Sequence, residues 1–254
     1  MIFSYFYIKT LKTSYYKYKP TKQGVQYSFF CLPRRGIIKM LQFKEKIMWR
    51  EHKTYWLQKH FVYNVILSII FLIIAFFINQ YANSYISGHA SNYVTDIVLD
   101  NIPTVDVHLI FSEGAILFIL AFIFILSREP KYTPFALKSI AVFVIIRSFF
   151  LVLTHLAPPL GEIYINPTDY ISQLSSGNDL FFSAHTGLPF LLAFIFWDKK
   201  ILRYSFFICS AIGGISVLLG HLHYSIDVFS AVFISFGIFH ICKNIFPKDF
   251  ALIK

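Results

Sequence analysis

Charge is what this chain has least of. Asp, Glu, Lys and Arg make up 14% of its 254 residues, against about 25% in a soluble domain. Acidic residues are the scarcest, 13 against 23 Lys and Arg. Long stretches hold neither Lys nor Arg, which excludes an ordinary soluble surface of mixed charge. Cysteine is also rare. Cys31, Cys209 and Cys242 form no spaced motif, and two of them fall in apolar runs. That excludes a disulfide framework and a cysteine-built metal centre. The chain has no internal repeat, no P-loop and no glycine-rich dinucleotide fingerprint. No metal and no cofactor are expected.

Hydrophobic residues fill the space, at 56%. A helix needs about 20 apolar residues to cross a bilayer. Six runs approach that length: Val62 to Ile78, Val107 to Leu126, Phe135 to Leu156, Leu180 to Trp197, Ile201 to Leu219, and Leu222 to Ile241. The fourth is the shortest, with Gly187 and Pro189 near its start. The expected fold is all-α: a polytopic membrane protein with a bundle of six transmembrane helices.

The basic residues orient the bundle. Thirteen of the 23 precede the first run, and none lies between the first and second. Arg128, Lys131 and Lys138 follow the second run, and Lys199, Lys200 and Arg203 follow the fourth. Lys243, Lys248 and Lys254 follow the sixth. The loop from 157 to 179 has no basic residue but carries Glu162, Asp169 and Asp179. Basic and non-basic ends alternate, so both termini are expected in the cytoplasm. Residues 1–48 read as a basic cytoplasmic tail, or as sequence before the true start if that is Met40 or Met48. Residues 49–246 read as the membrane domain and 247–254 as a cytoplasmic C-terminal tail. The net charge of +10 follows from this topology and suits anionic lipid, so no nucleic acid is expected as a partner.

Two segments carry chemistry, Gly177–Gly187 and Gly220–Asp227. Each lies where a polar loop meets an apolar run, and the topology puts both on the extracytoplasmic face. His223 and Asp227 are four residues apart, hence one turn apart on one helix face. A carboxylate there can hold the imidazole in one tautomer and balance its charge. His185 opens the other apolar segment. Ser183 either caps that helix or gives its hydroxyl to a phosphate oxygen. Helix starts of this kind suit an anion. Arg147 lies within the third run among Ile145, Ile146, Phe149 and Phe150. An arginine there must face the bundle interior and an anionic partner. That partner is a phosphate, gripped by the guanidinium fork, or Glu113 on the second run. His221 falls in the loop as a structural or accessory residue.

At these residues the chain resembles the type 2 phosphatidic acid phosphatase superfamily, and more closely its sphingomyelin synthase-like branch. Asn178-Asp179-Leu180-Phe181-Phe182-Ser183-Ala184-His185-Thr186 is similar to that branch's G-D-x-x-x-S-G-H-T. His221-Leu222-His223-Tyr224-Ser225-Ile226-Asp227-Val228 is similar to its H-x-H-Y-T-[IV]-D-V. Arg147 to Pro159 resembles its arginine-led helix and proline turn, and weaker similarity reaches back to about residue 95. The resemblance implies a metal-independent enzyme on phospholipid or sphingolipid substrates. His223 would be the nucleophile, Asp227 its orienting carboxylate, and His185 the acid and then the base. Arg147, Ser183 and Asp179 would bind the substrate. Water as acceptor gives a phosphatase, and ceramide or diacylglycerol gives a headgroup transferase.

The chain departs from the pattern. Ala184 stands for the glycine of S-G-H-T. The superfamily's wider K-x6-R-P is not kept, since Ser148 follows Arg147 and Lys138 is nine residues earlier. Val217 occupies the place of a second arginine. A less cationic cradle favours a phosphodiester over a monoester. A lipid transporter or scaffold on the same bundle is the non-enzymatic alternative.

Overall fold

The computed structural model describes residues 53–89, 91–161 and 180–254, together with four two-residue strands in the N-terminal part. The chain divides into two units, Met1–Lys53 and Thr54–Lys254. In the first, β1 (Tyr16–Lys17) pairs antiparallel with β4 (Ser28–Phe29), and β2 (Pro20–Thr21) with β3 (Gly24–Val25).

The second unit is helical: α1 (Lys59–Ser87), α2 (Gly114–Arg128), α3 (Thr133–Leu153), α4 (Ala184–Ile195), α5 (Lys200–Leu219), α6 (Ser225–Ile245) and α7 (Pro247–Ala251). A π-helical turn, Leu109–Glu113, runs directly into α2. Five helical segments are long and apolar enough to cross a membrane: α1, α2 with its π-helical turn, α3 with the short turn before it, α5 and α6. Their flanks expose large apolar side chains, among them Phe77 (72%), Leu117 (68%) and Phe233 (75%). So much exposed hydrocarbon is unstable against water and ordinary against lipid tails. The chain is an integral membrane protein.

The fourth apolar run differs from its expected form. Only twelve of its residues are helical, about 18 Å of helix at 1.5 Å per residue, well short of the roughly 30 Å hydrocarbon core. Leu180 to Ser183 are instead non-helical, because their backbone is engaged elsewhere. The Phe182 carbonyl accepts from Arg147, and the Ser183 N–H donates to the Asp227 carbonyl. Apolar composition cannot distinguish such a segment from helix.

Helix α4 is the bundle's centre. Thr186, Gly187, Pro189, Leu191, Leu192, Ala193 and Ile195 are all buried, and the main core of Phe135, Phe143, Phe182, Leu191, Leu192 and Phe196 surrounds it. Between apolar helices in lipid, close backbone approach and hydrogen bonds hold the contact. Here the Ser210 hydroxyl of α5 donates to the Thr186 carbonyl at 2.7 Å, and the Ser235 hydroxyl of α6 to the Gly187 carbonyl at 2.9 Å. Gly213 lets α5 press against α4: a Cβ there would lie 3.0 Å from the carbonyl carbon of His185 and closer still to its oxygen.

The basic ends gather on the side away from the histidine segments. Lys199 pairs with Glu129 across two loops. Lys138 of α3 meets Asp249 of α7 at 2.5 Å, with both side chains largely buried. The residues after 246, expected as a tail, therefore fold back as α7 and bury Asp249 and Ile253.

Candidate functional site

The starts of α4 and α6 lie side by side, tied by the Ser183 N–H donating to the Asp227 carbonyl at 3.1 Å. Two helix N-termini thus bring their free N–H groups and positive dipole ends together, a favourable setting for an anion.

Tyr224 is the N-cap of α6. Its backbone N–H donates to Asp227 Oδ2 at 2.9 Å, closing a capping box. The capping box explains why an acid three residues into this segment fixes the helix start. The same oxygen lies 3.6 Å from His223 Nδ1, beyond hydrogen-bond length. His223 is 5% exposed and Asp227 fully buried. His223 Nδ1 and Asp227 Oδ1 are both buried without a hydrogen-bond partner. Two orphaned polar atoms on adjacent groups are costly, and a small rotation that brings Nδ1 onto Oδ1 relieves both. Catalytic hydrogen bonds often tighten in this way only with substrate bound.

His185, in the first turn of α4, stacks on Phe111 with ring centroids 4.3 Å apart. The Phe111 carbonyl, in the π-helical turn, is a backbone hydrogen-bond partner of its ring, and His185 interacts electrostatically with both His223 and Arg147. Pro189 has no N–H, so the His185 carbonyl lacks its usual partner within the helix.

Arg147 reaches the same place from α3. Its Nε donates to the Phe182 carbonyl at 2.8 Å, and the residue is 5% exposed. Glu113 is instead 3.9 Å from His108, with its side chain more than half exposed. Ser183 is the N-cap of α4 but makes no side-chain capping bond. Its hydroxyl accepts from the Thr186 hydroxyl at 3.3 Å. The structure therefore gathers His185, His223, Asp227, Arg147 and Ser183. Asp179 lies outside the described residues. Val217 is fully buried in an apolar cluster with Val107, Phe111, Leu222 and Val228, so no cation stands there.

Two residues missed in the sequence brace this site. The Asp96 carboxylate accepts from the Ser225 N–H at 2.6 Å and from the Val98 and Leu99 N–H groups at 2.8 and 3.2 Å. Burial alone would raise its pKa, but these backbone donors outweigh burial and hold it below its ordinary value. The Tyr224 hydroxyl donates to the Ala157 carbonyl at 2.9 Å and accepts from the Val94 N–H at 3.2 Å. Asp96 thus pins the loop before the π-helical turn to the start of α6, and Tyr224 pins that loop and the one after α3. The only local signal was Asp96 three residues before Leu99, an ordinary Asx-type turn.

This arrangement can seat an anion between a guanidinium and two helix starts, with two imidazoles and one orienting carboxylate beside it. Among the described residues no cluster of His, Cys, Asp or Glu is suited to a metal ion. Residues 176–244 match the family model described as PAP2 superfamily C-terminal. The matched stretch holds α4, α5, most of α6 and both histidine segments, while Arg147 and Asp96 lie outside it. No curated protein matches the chain.

Proposed function

We propose that this protein is a membrane-embedded lipid enzyme that cleaves or transfers a phosphate-containing headgroup through a phosphohistidine on His223. The observation that carries the reading is the buried pairing of His223 and Asp227 beside His185 and Arg147. The match of residues 176–244 to the PAP2 superfamily C-terminal model supports it, since that superfamily's members are phosphatases.

In this reading Asp227 holds His223 Nδ1–H, and Nε2 attacks phosphorus. Arg147 and the N–H groups opening α4 and α6 take the charge that builds on the non-bridging oxygens. His185 protonates the departing oxygen and then removes a proton from the acceptor. Ser183 and Asp179 contribute to substrate binding. The short α4, flanked by non-helical residues, makes the sixth crossing, both termini are cytoplasmic, and the site opens to the extracytoplasmic face. Within this class the apolar Val217 favours the singly charged phosphodiester, hence transfer to ceramide or diacylglycerol as in the sphingomyelin synthase-like branch.

The test uses detergent-purified protein with phosphatidic acid, phosphatidylcholine, phosphatidylethanolamine and ceramide together, and mass spectrometry of every product. Headgroup on ceramide, absent with His223→Ala, supports transfer. Diacylglycerol and free phosphate from phosphatidic acid, again lost with His223→Ala, support hydrolysis. Equal products from both proteins would refute the site. Lipid movement that survives loss of both histidines would favour a transporter.

A further inference from the structure

Helix α5 ends in a Schellman motif. The His221 N–H donates to the Leu218 carbonyl at 3.0 Å, and the Leu222 N–H to the Val217 carbonyl at 2.9 Å. That motif places one residue in the left-handed region, and glycine is the usual occupant. Gly220 does not fill it. Its φ is −81°, and its lack of a side chain serves another end, because a Cβ there would lie 2.6 Å from Val107 Cγ2. The left-handed residue is His221, with φ of 50°. The chain therefore carries an imidazole where the backbone favours glycine.

The imidazole is 93% buried, at 7% exposure. Nδ1 lies 3.1 Å from the Leu160 carbonyl. A carbonyl only accepts, so Nδ1 carries the proton. Neutral His221 then has a bare lone pair on Nε2, and that atom is buried with no hydrogen-bond partner. It needs a donor. Beside the ring stand the Leu160 carbonyl and Gly161, with the Thr104 hydroxyl close to Gly161, while Val107 and Leu222 pack at the neighbouring Gly220. A water would need two to four polar partners. A lipid alcohol brings one O–H on an apolar body.

We propose that Nε2 of His221 accepts a hydrogen bond from the hydroxyl of a lipid alcohol, making His221 part of the acceptor site two residues from the nucleophile. This rests on the reading of His223 given above. It supplies that reading with a determinant of the acceptor's chemical class.

His221→Asn separates the roles. Asparagine tolerates the left-handed region and keeps an N–H donor at the position of Nδ1, but has nothing at Nε2. His221→Gly is the backbone's own preference. If the histidine were only a helix terminus, both variants would keep melting temperature and activity. The proposal expects both to keep the melting temperature while transfer to diacylglycerol falls about tenfold, the worth of one hydrogen bond, with release of the headgroup to water unchanged. Wild-type transfer in His221→Asn would overturn it, as would equal loss of transfer and hydrolysis.

A second readout needs no turnover. In phosphatidylcholine bilayers containing ¹⁵N-histidine-labelled protein, the Nε2 resonance missing from His221→Asn should move when diacylglycerol is added. A resonance that stays in place overturns the proposal. If His223→Ala leaves every product intact, the catalytic reading fails instead, and this resonance still decides the alcohol contact.

Discussion

Gly213→Ala tests whether close helix approach sets the position of His185. The added Cβ would sit 3.0 Å from the His185 carbonyl carbon and inside contact with its oxygen. Ordinary carbon–carbon contact is about 3.5–4.0 Å, so α4 and α5 must part by roughly 0.5–1 Å. The obstacle is backbone and cannot swing aside. Overpacking of this kind costs about 1–3 kcal/mol. A misplacement near 1 Å at a reacting group can cost on the order of 100-fold in rate. Gly237→Ala is the matched control, because a Cβ there meets nothing within 4 Å. The assay is His223-dependent product formation beside thermal unfolding in the same detergent. Gly213→Ala should lose activity far beyond its loss of stability, and Gly237→Ala should lose neither. Equal activity in the two variants would refute the reasoning that helix contact positions His185.

Asp227→Asn should keep the fold, since an amide oxygen can still accept from the Tyr224 N–H, while turnover falls by about 10²–10⁴-fold; a rate near wild type would remove Asp227 from the chemistry. Lys138→Met leaves the buried Asp249 carboxylate unpaired and should destabilise the protein by about 3–5 kcal/mol, measured by thermal unfolding, with Asp249→Leu added to it restoring most of the loss. Asp96 has its pKa lowered by folding from an ordinary 3.8. Its stabilisation is therefore complete above that value and disappears as pH falls through the lower, folded value. Asp96→Asn should flatten the acid limb of a stability-against-pH curve, and an unchanged limb would contradict the assignment.

The sequence exposed what depends on spacing. His223 and Asp227 do come close, as their spacing suggests, but not on one helix face: α6 begins at Ser225, so His223 precedes the helix and its extended N-cap Tyr224, and the Asp227 capping box brings the two together. The long apolar runs likewise became long helices, and α1 extends beyond its predicted bounds to Ser87. What depends on distant contact was hidden. One partner of the Arg147 guanidinium and one of Asp96 are backbone groups 35 and 129 residues away, and a carbonyl or N–H carries no residue signature. Glu113 was a plausible partner for Arg147 by charge, yet the π-helical turn leaves its side chain largely exposed beside His108. The shortness of α4 was also hidden, because Leu180 to Phe182 are apolar whether helical or not. Their conformation follows from hydrogen bonds to α3 and α6.

The central claim is a covalent bond from phosphorus to His223. Protein mixed with a lipid donor carrying radiolabelled phosphorus, quenched in base and digested, should yield one acid-labile labelled peptide, the one containing His223, and His223→Ala should yield none. Turnover without that adduct, or label on a different residue, would contradict the account.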